Sequence, residues 1–205
     1  MTNTPPGSLD HLFSSARVVH RRSFMVAAAT AASMGPSIVK AAEVASGIRE
    51  QDREHMQQAI ALMRKAGVTD KTGGPFGAVI VRDGKVLASA GNSVLRDNDP
   101  SAHAEVNAIR AACKATNSPN IKGATMYTSC ECCPMCYATA YWARVDKIYY
   151  AAAWTDYADL FDDSNISIDM QRPYAQRTVK VAQLMQSDAQ KVWLEYRQLP
   201  EKTKY

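Results

Sequence analysis

Three side chains of this 205-residue sequence have the types and spacing of metal ligands: His103 and the C-x-x-C pair Cys133 and Cys136. One imidazole and two thiolates make three protein ligands. Three leave the fourth tetrahedral position of a zinc ion open to water, which distinguishes catalytic from structural zinc. Glu105, two residues beyond His103, is the carboxylate expected to work beside the ion rather than on it. Zinc lowers the pKa of water from about 15.7 towards about 7. Glu105 would take the proton so released and return it to the substrate and its leaving group.

Two plainer readings compete. A closed structural site needs a fourth ligand, and beyond residue 41 the remaining candidates are His55, Cys113, Cys130 and Cys132. Cys130 and Cys133 also form a C-x-x-C, so spacing alone leaves the register open. Pro134 decides it, because proline suits the first turn of a helix and Tyr137 to Trp142 read as the helix that follows. Cys133 and Cys136 then stand one turn apart at a helix N-terminus, where the dipole favours thiolates. Cys130 would lie back in the preceding strand. Glu105 could be no more than a first-turn glutamate, but beside an open zinc position that reading leaves the carboxylate's placement unexplained. Cys113 and Cys132 read most simply as small buried thiols, although Cys132 could compete for metal or oxidise with Cys130.

The elements that must position these groups follow from periodicity. Arg49–Ala66 reads as an amphipathic helix with Met56, Ile60 and Met63 on its apolar side. Phe76–Val81 and Val86–Ala90 read as a hairpin turning at Asp83-Gly84. A helix from Ala104 to about Ala112 carries Glu105. A strand at Ala124–Thr128, the cysteine helix and a strand at Lys147–Ala151 come next. Val179–Leu184 is expected as a fifth strand, and Ala189–Gln198 as a last helix with Val192, Leu194 and Tyr196 available for packing. Strands alternating with helices imply an α/β fold, a three-layer α/β/α sandwich on a central mixed five-stranded sheet. The two ligand-bearing helices should share one face.

The first 41 residues read as a separate segment. Arg21-Arg22-Ser23-Phe24-Met25 opens an apolar run, Phe24–Met34, too short to span a membrane, and Ser37–Ala42 supplies small residues suited to cleavage. This resembles a twin-arginine export signal, with residues 42–205 as one domain and an exported, periplasmic location. The alternative is an incidental basic arm before a cytoplasmic protein. The whole chain has 24 Lys+Arg against 20 Asp+Glu, net +4. Residues 1–41 hold Arg17, Arg21, Arg22 and Lys40 against Asp10, so the remainder has 20 basic and 19 acidic residues, net +1. A near-neutral domain without a Lys/Arg run gives little support to nucleic-acid binding.

Gly73-Gly74-Pro75-Phe76-Gly77-Ala78-Val79-Ile80, Asn98-Asp99-Pro100-Ser101-Ala102-His103-Ala104-Glu105, and Tyr127-Thr128-Ser129-Cys130-Glu131 leading into Pro134-Met135-Cys136 resemble the cytidine deaminase superfamily. Ala140-Tyr141-Trp142-Ala143-Arg144, Phe161-Asp162-Asp163-Ser164 and the terminal Lys204-Tyr205 narrow the resemblance to its bacterial guanine deaminases. It covers residue 50 or so to the end, and departs at Cys132, where the pattern has proline. The resemblance implies a zinc cofactor and hydrolysis of guanine to xanthine and ammonia. Its alternatives are deamination of another base or nucleoside (cytosine, guanosine, a pterin-like ring, adenosine in tRNA) or a zinc-stabilised domain without catalysis.

The resemblance also implies pocket roles. Asn92 would hydrogen-bond the purine ring, although Gly91-Asn92-Ser93 would equally serve as a strand-ending turn. Phe76 and Trp142 would flank the base, or else fill the core. The Ala104 backbone N–H would donate to the substrate carbonyl, and Asp163 would meet the exocyclic amino group. Tyr205, otherwise a frayed terminus, would close the site through a homodimer with exchanged C-terminal segments.

Overall fold

Arg49 and Asp52 start the first helix of the computed structural model, which describes residues 47–161 and 163–203, the side chains of 163 and 164 excepted. The expected export segment and Tyr205 lie outside the described residues. Helix α1 (Glu50–Arg64) begins where the Asp52 carboxylate accepts from the Arg49 backbone N–H at 2.8 Å, a satisfied first turn. It continues into one π-helical stretch, Lys65–Thr69.

Strands β1 (Gly77–Arg82) and β2 (Lys85–Gly91) form the expected hairpin. Asp83 and Gly84 both take positive φ, 53° and 73°, as a two-residue turn between right-twisted strands requires. Strand β3 (Thr125–Cys130) pairs antiparallel with β1, and β4 (Lys147–Ala152) pairs parallel with β3, giving the order β2-β1-β3-β4. That parallel step needs a crossover, supplied by helix α3 (Pro134–Trp142).

Alternation along the strands divides the core into two layers. Ala78, Ile80 and Met126 face helix α2 (Ala104–Ala115) through Ala104, Ala108 and Ala112, with Ala140 of α3 beside them. Val79, Val81 and Tyr127 point the other way, onto Ala59, Met56 and Leu62 of α1. The ligand-bearing helices α2 and α3 therefore share one face, and α1 covers the other.

Helix α1 comes close to the hairpin because Gly77 and Gly91 stand opposite each other in the β1–β2 ladder. A Cβ at Gly77 would overlap the Ala59 carbonyl oxygen, and one at Gly91 would lie 2.9 Å from the Ala66 Cβ. The paired glycines make a slot for the backbone of α1 and the start of the π-helical stretch.

The five-stranded sheet is corrected to four strands among the described residues. Val179–Leu184 is not a strand: Val179 is 75% exposed and Leu184 85%. Strand propensity needs an edge to pair with, and this segment lies on none. The outer edge of β4 correspondingly has no strand beside it among the described residues. Helices α4 (Asp163–Gln171) and α5 (Gln186–Gln198) complete the chain. On α5, Val192 and Leu194 are exposed instead of packed, as is Trp193, while the Tyr196 hydroxyl donates to the Thr203 carbonyl at 2.7 Å. No helix among the described residues is long and apolar enough to cross a membrane.

Asp52 ties α1 to the sheet. It is 4% exposed, and its carboxylate accepts from the Arg49 guanidinium at 2.9 and 3.2 Å and from the Tyr127 hydroxyl at 2.6 Å. The Arg49 hydrogen bonds, with the others, outweigh burial and hold its carboxyl below the usual range. A depressed folded pKa contributes stability that is present above the unfolded value, about 3.9, and lost as pH falls through the folded one. Asp52→Asn is therefore expected to lose about 2 kcal/mol at pH 7, with the gap to the parent narrowing below pH ~4. Urea unfolding at neutral and acid pH measures this. A gap that stays constant into acid would remove the carboxylate's charge as its source.

Candidate active site

His103 is the N-cap of α2 and Cys133 the N-cap of α3, each in extended conformation immediately before its helix. Pro134 occupies the first turn, as expected from its fixed φ. Side-by-side packing of α2 and α3 brings the two helix starts together. The Sγ atoms of Cys133 and Cys136 lie 3.7 and 3.5 Å from His103 Nδ1, and all three donor atoms fall within 4.8 Å of one another. Zn–S of about 2.3 Å and Zn–N of about 2.0–2.1 Å at tetrahedral angles give an S···N edge of roughly 3.5 Å. The donors are already spaced for zinc. Cys130 ends β3, apart from this cluster, and Cys132 packs between the α2-side core layer and a small cluster of Val106, Cys133 and Cys136.

The thiols are electrostatically unequal. The hydrogen bond from Cys136 and a further one from His103 pull the Cys133 thiol down to about 4, against the opposing cost of burial. Cys136 is raised, by its hydrogen bond to Cys133 and by burial, and keeps the proton the pair shares. A preformed thiolate is what a metal ligand requires. Burial raises the thiols of Cys113 and Cys132, which suits core residues.

Glu105 is 3% exposed, in the first turn of α2. Its Oε1 accepts from the Thr128 hydroxyl at 2.7 Å, and its Oε2 lies 3.4 Å from Cys136 Sγ. One carboxylate oxygen is thus held by the sheet while the other borders the donor cluster. Burial pushes its carboxyl up, with the Thr128 hydrogen bond working against it. A buried glutamate of raised proton affinity beside an open metal position can carry a proton.

The expected pocket residues are placed unevenly. Asn92 is 4% exposed and does form the strand-ending turn: its Oδ1 accepts from Val94 N–H at 3.1 Å, and its own N–H donates to the Phe76 carbonyl at 3.0 Å. What Asn92 can present to a ring is therefore its amide NH₂. Asn107 Nδ2 clamps the same region, donating to Ser93 Oγ at 2.9 Å and the Ala102 carbonyl at 3.1 Å. Ala104 is the first helical residue of α2, where the backbone N–H has no intrahelical acceptor. Trp142, at the end of α3, is 58% exposed, with the Arg144 guanidinium 5.7 Å from its ring. Asp163 begins α4, its side chain outside the description.

Sequence reasoning assigned no role to Tyr157. With Phe161 it builds an aromatic group around Phe76, both rings edge-on at 5.7 and 5.0 Å. The Tyr157 hydroxyl donates to the Glu131 carbonyl, and the Glu131 carboxylate accepts from Trp154 N–H, each at 3.3 Å. The segment after β4 is thereby fastened next to Phe76. Thr128 was also missed as a side chain, although it lies inside the Tyr127–Glu131 motif.

Residues 49–152 match the model of the cytidine and deoxycytidylate deaminase zinc-binding region. The chain is 44% identical over 140 residues to the guanine deaminase of Bacillus subtilis, covering 68% of this chain and 90% of that protein. It is 42% identical over 102 residues to the tRNA-specific adenosine deaminase of Agrobacterium fabrum, covering 49% and 66%. The crystal structure of the Bacillus subtilis guanine deaminase superposes with a TM-score of 0.71 at 40% identity, covering 75% of this chain and 98% of that one.

Proposed function

The chain belongs to the cytidine and deoxycytidylate deaminase family, zinc-dependent hydrolases of C–N bonds, and from that membership we propose that its substrate is guanine, converted with water to xanthine and ammonia. The observation that carries this reading is the 44% identity to a guanine deaminase over 90% of that protein's length. His103, Cys133 and Cys136 would hold the zinc, which when bound would supply the acidity that makes water a nucleophile near neutral pH. Glu105 takes up and releases a proton twice on Oε2, the oxygen beside the donor cluster: one proton of the water goes to the ring nitrogen and the other to the departing amine. The Ala104 N–H and the Asn92 amide orient the purine, Phe76 and Trp142 cover its faces, and Asp163 accepts from the exocyclic amine. The Phe161–Tyr157 group fixes the Phe76 ring. Ammonia release by the zinc-loaded protein tests the reading across guanine, guanosine, cytosine and adenosine-bearing tRNA. Guanine should lead by at least about 100-fold in kcat/KM; a lead by any other substrate overturns it.

We also infer a homodimer with exchanged C-terminal segments. The edge of β4, open among the described residues, the β-rich but unpaired Val179–Leu184 and the exposed apolar residues of α5 support it, because such surfaces call for a partner. Tyr205 would then close the partner's site and exclude water. Deleting Tyr205 is expected to lower guanine turnover at least about tenfold, near 1.4 kcal/mol of barrier, with zinc and dimer retained. Parent-like turnover would leave Tyr205 a mere tail. Arg21-Arg22 supports export by the twin-arginine route; a native protein purified with residues 1–41 intact would refute it.

A further inference from the structure

We propose that Thr128 is the residue that orients Glu105 for proton transfer. The Thr128 hydroxyl has one proton and two acceptors in reach, Glu105 Oε1 at 2.7 Å and the Cys130 carbonyl at 3.0 Å. A carboxylate accepts a shorter and roughly twofold stronger bond than a neutral carbonyl, so the proton points to Glu105. Both partners are buried, Thr128 at 0% and Glu105 at 3% exposure, where a misdirected polar group finds no water to compensate it.

The bond also selects between two equivalent oxygens. With Oε1 engaged on β3, Oε2 is the one left facing Cys136. Thr128 is well placed to enforce this. It pairs with Ala78 on one side and Tyr150 on the other, inside the sheet, and its β-branched side chain is stiff at χ1. Thr128 touches neither substrate nor metal in this scheme. It is a positioning residue, and the inference rests on Glu105 being the acid/base.

The experiment compares Thr128→Val, Thr128→Ser, Glu105→Gln and the Thr128→Val/Glu105→Gln double variant, each assayed for kcat, KM, zinc content and melting temperature. Thr128→Val should lower kcat about tenfold or more with KM within about twofold and zinc retained. Thr128→Ser should recover most of that loss, since it restores the donor. In the Glu105→Gln background the valine should cost almost nothing further, the non-additivity expected of two groups acting as one. Parent-like kcat in Thr128→Val beside an inactive Glu105→Gln would overturn the role of Thr128 and leave the acid/base assignment standing. An active Glu105→Gln would overturn both. Loss of zinc or fold in Thr128→Val and Thr128→Ser alike would overturn it in favour of a purely structural threonine.

Discussion

Glu105→Gln is expected to fold, to bind zinc and to lose guanine turnover by about 10³-fold, within the range of 10² to 10⁴ that a positioned acid/base contributes. Glutamine has the shape of glutamate, and its carbonyl oxygen can still accept from Thr128, so the 2.7 Å contact need not break. What it lacks is the capacity to take and surrender a proton. The same group serves both transfers, which places the loss in kcat more than in KM. Metal content measured alongside the rate separates this from damage to the cluster. Near-parent activity in a zinc-replete Glu105→Gln would remove the acid/base role.

Cys133→Ala is expected to have the larger effect still, loss of zinc on dialysis together with turnover, by about 10⁴-fold or more. Cys133 is one of the three donors that meet within 4.8 Å, and its removal leaves two protein ligands where an open zinc site uses three. Cys132→Ser is the control, one residue away but outside the donor cluster, and should keep the metal. Zinc retained by Cys133→Ala but lost by Cys132→Ser would transfer the ligand role to Cys132. Cys133 and Cys136 must both be thiolates to hold the metal, so loading releases protons and affinity should weaken as pH falls.

Where the site was legible in the sequence, local rules were enough. His103 and Cys133 each cap a helix, Pro134 sets the register of one of them, and helix starts are written in a few neighbouring residues. The hairpin at Asp83-Gly84 and the two-layer alternation of β1 are equally local. The failures share a different physics. Val179–Leu184 has the residues of a strand, but pairing depends on an edge elsewhere, and only four strands assemble among the described residues. Thr128 reaches Glu105 across 23 positions and Tyr157 reaches Glu131 across 26; no spacing rule links them. Asn92 was read as either pocket or turn, and the structure gives it the turn without withdrawing its amide.

Phe76 immediately precedes Gly77, and Asn92 immediately follows Gly91, so both proposed substrate contacts hang from the slot that receives α1. Neither glycine has a side chain to offer a substrate, yet even a methyl group there must push α1 or the π-helical stretch after it off the sheet and drag both contacts with it. In a saturation library selected for deamination, these two positions would score as intolerant as His103. Read as a mutational map, the active centre would seem to extend through the sheet onto its far side, and that extension would record packing, with no chemistry in it.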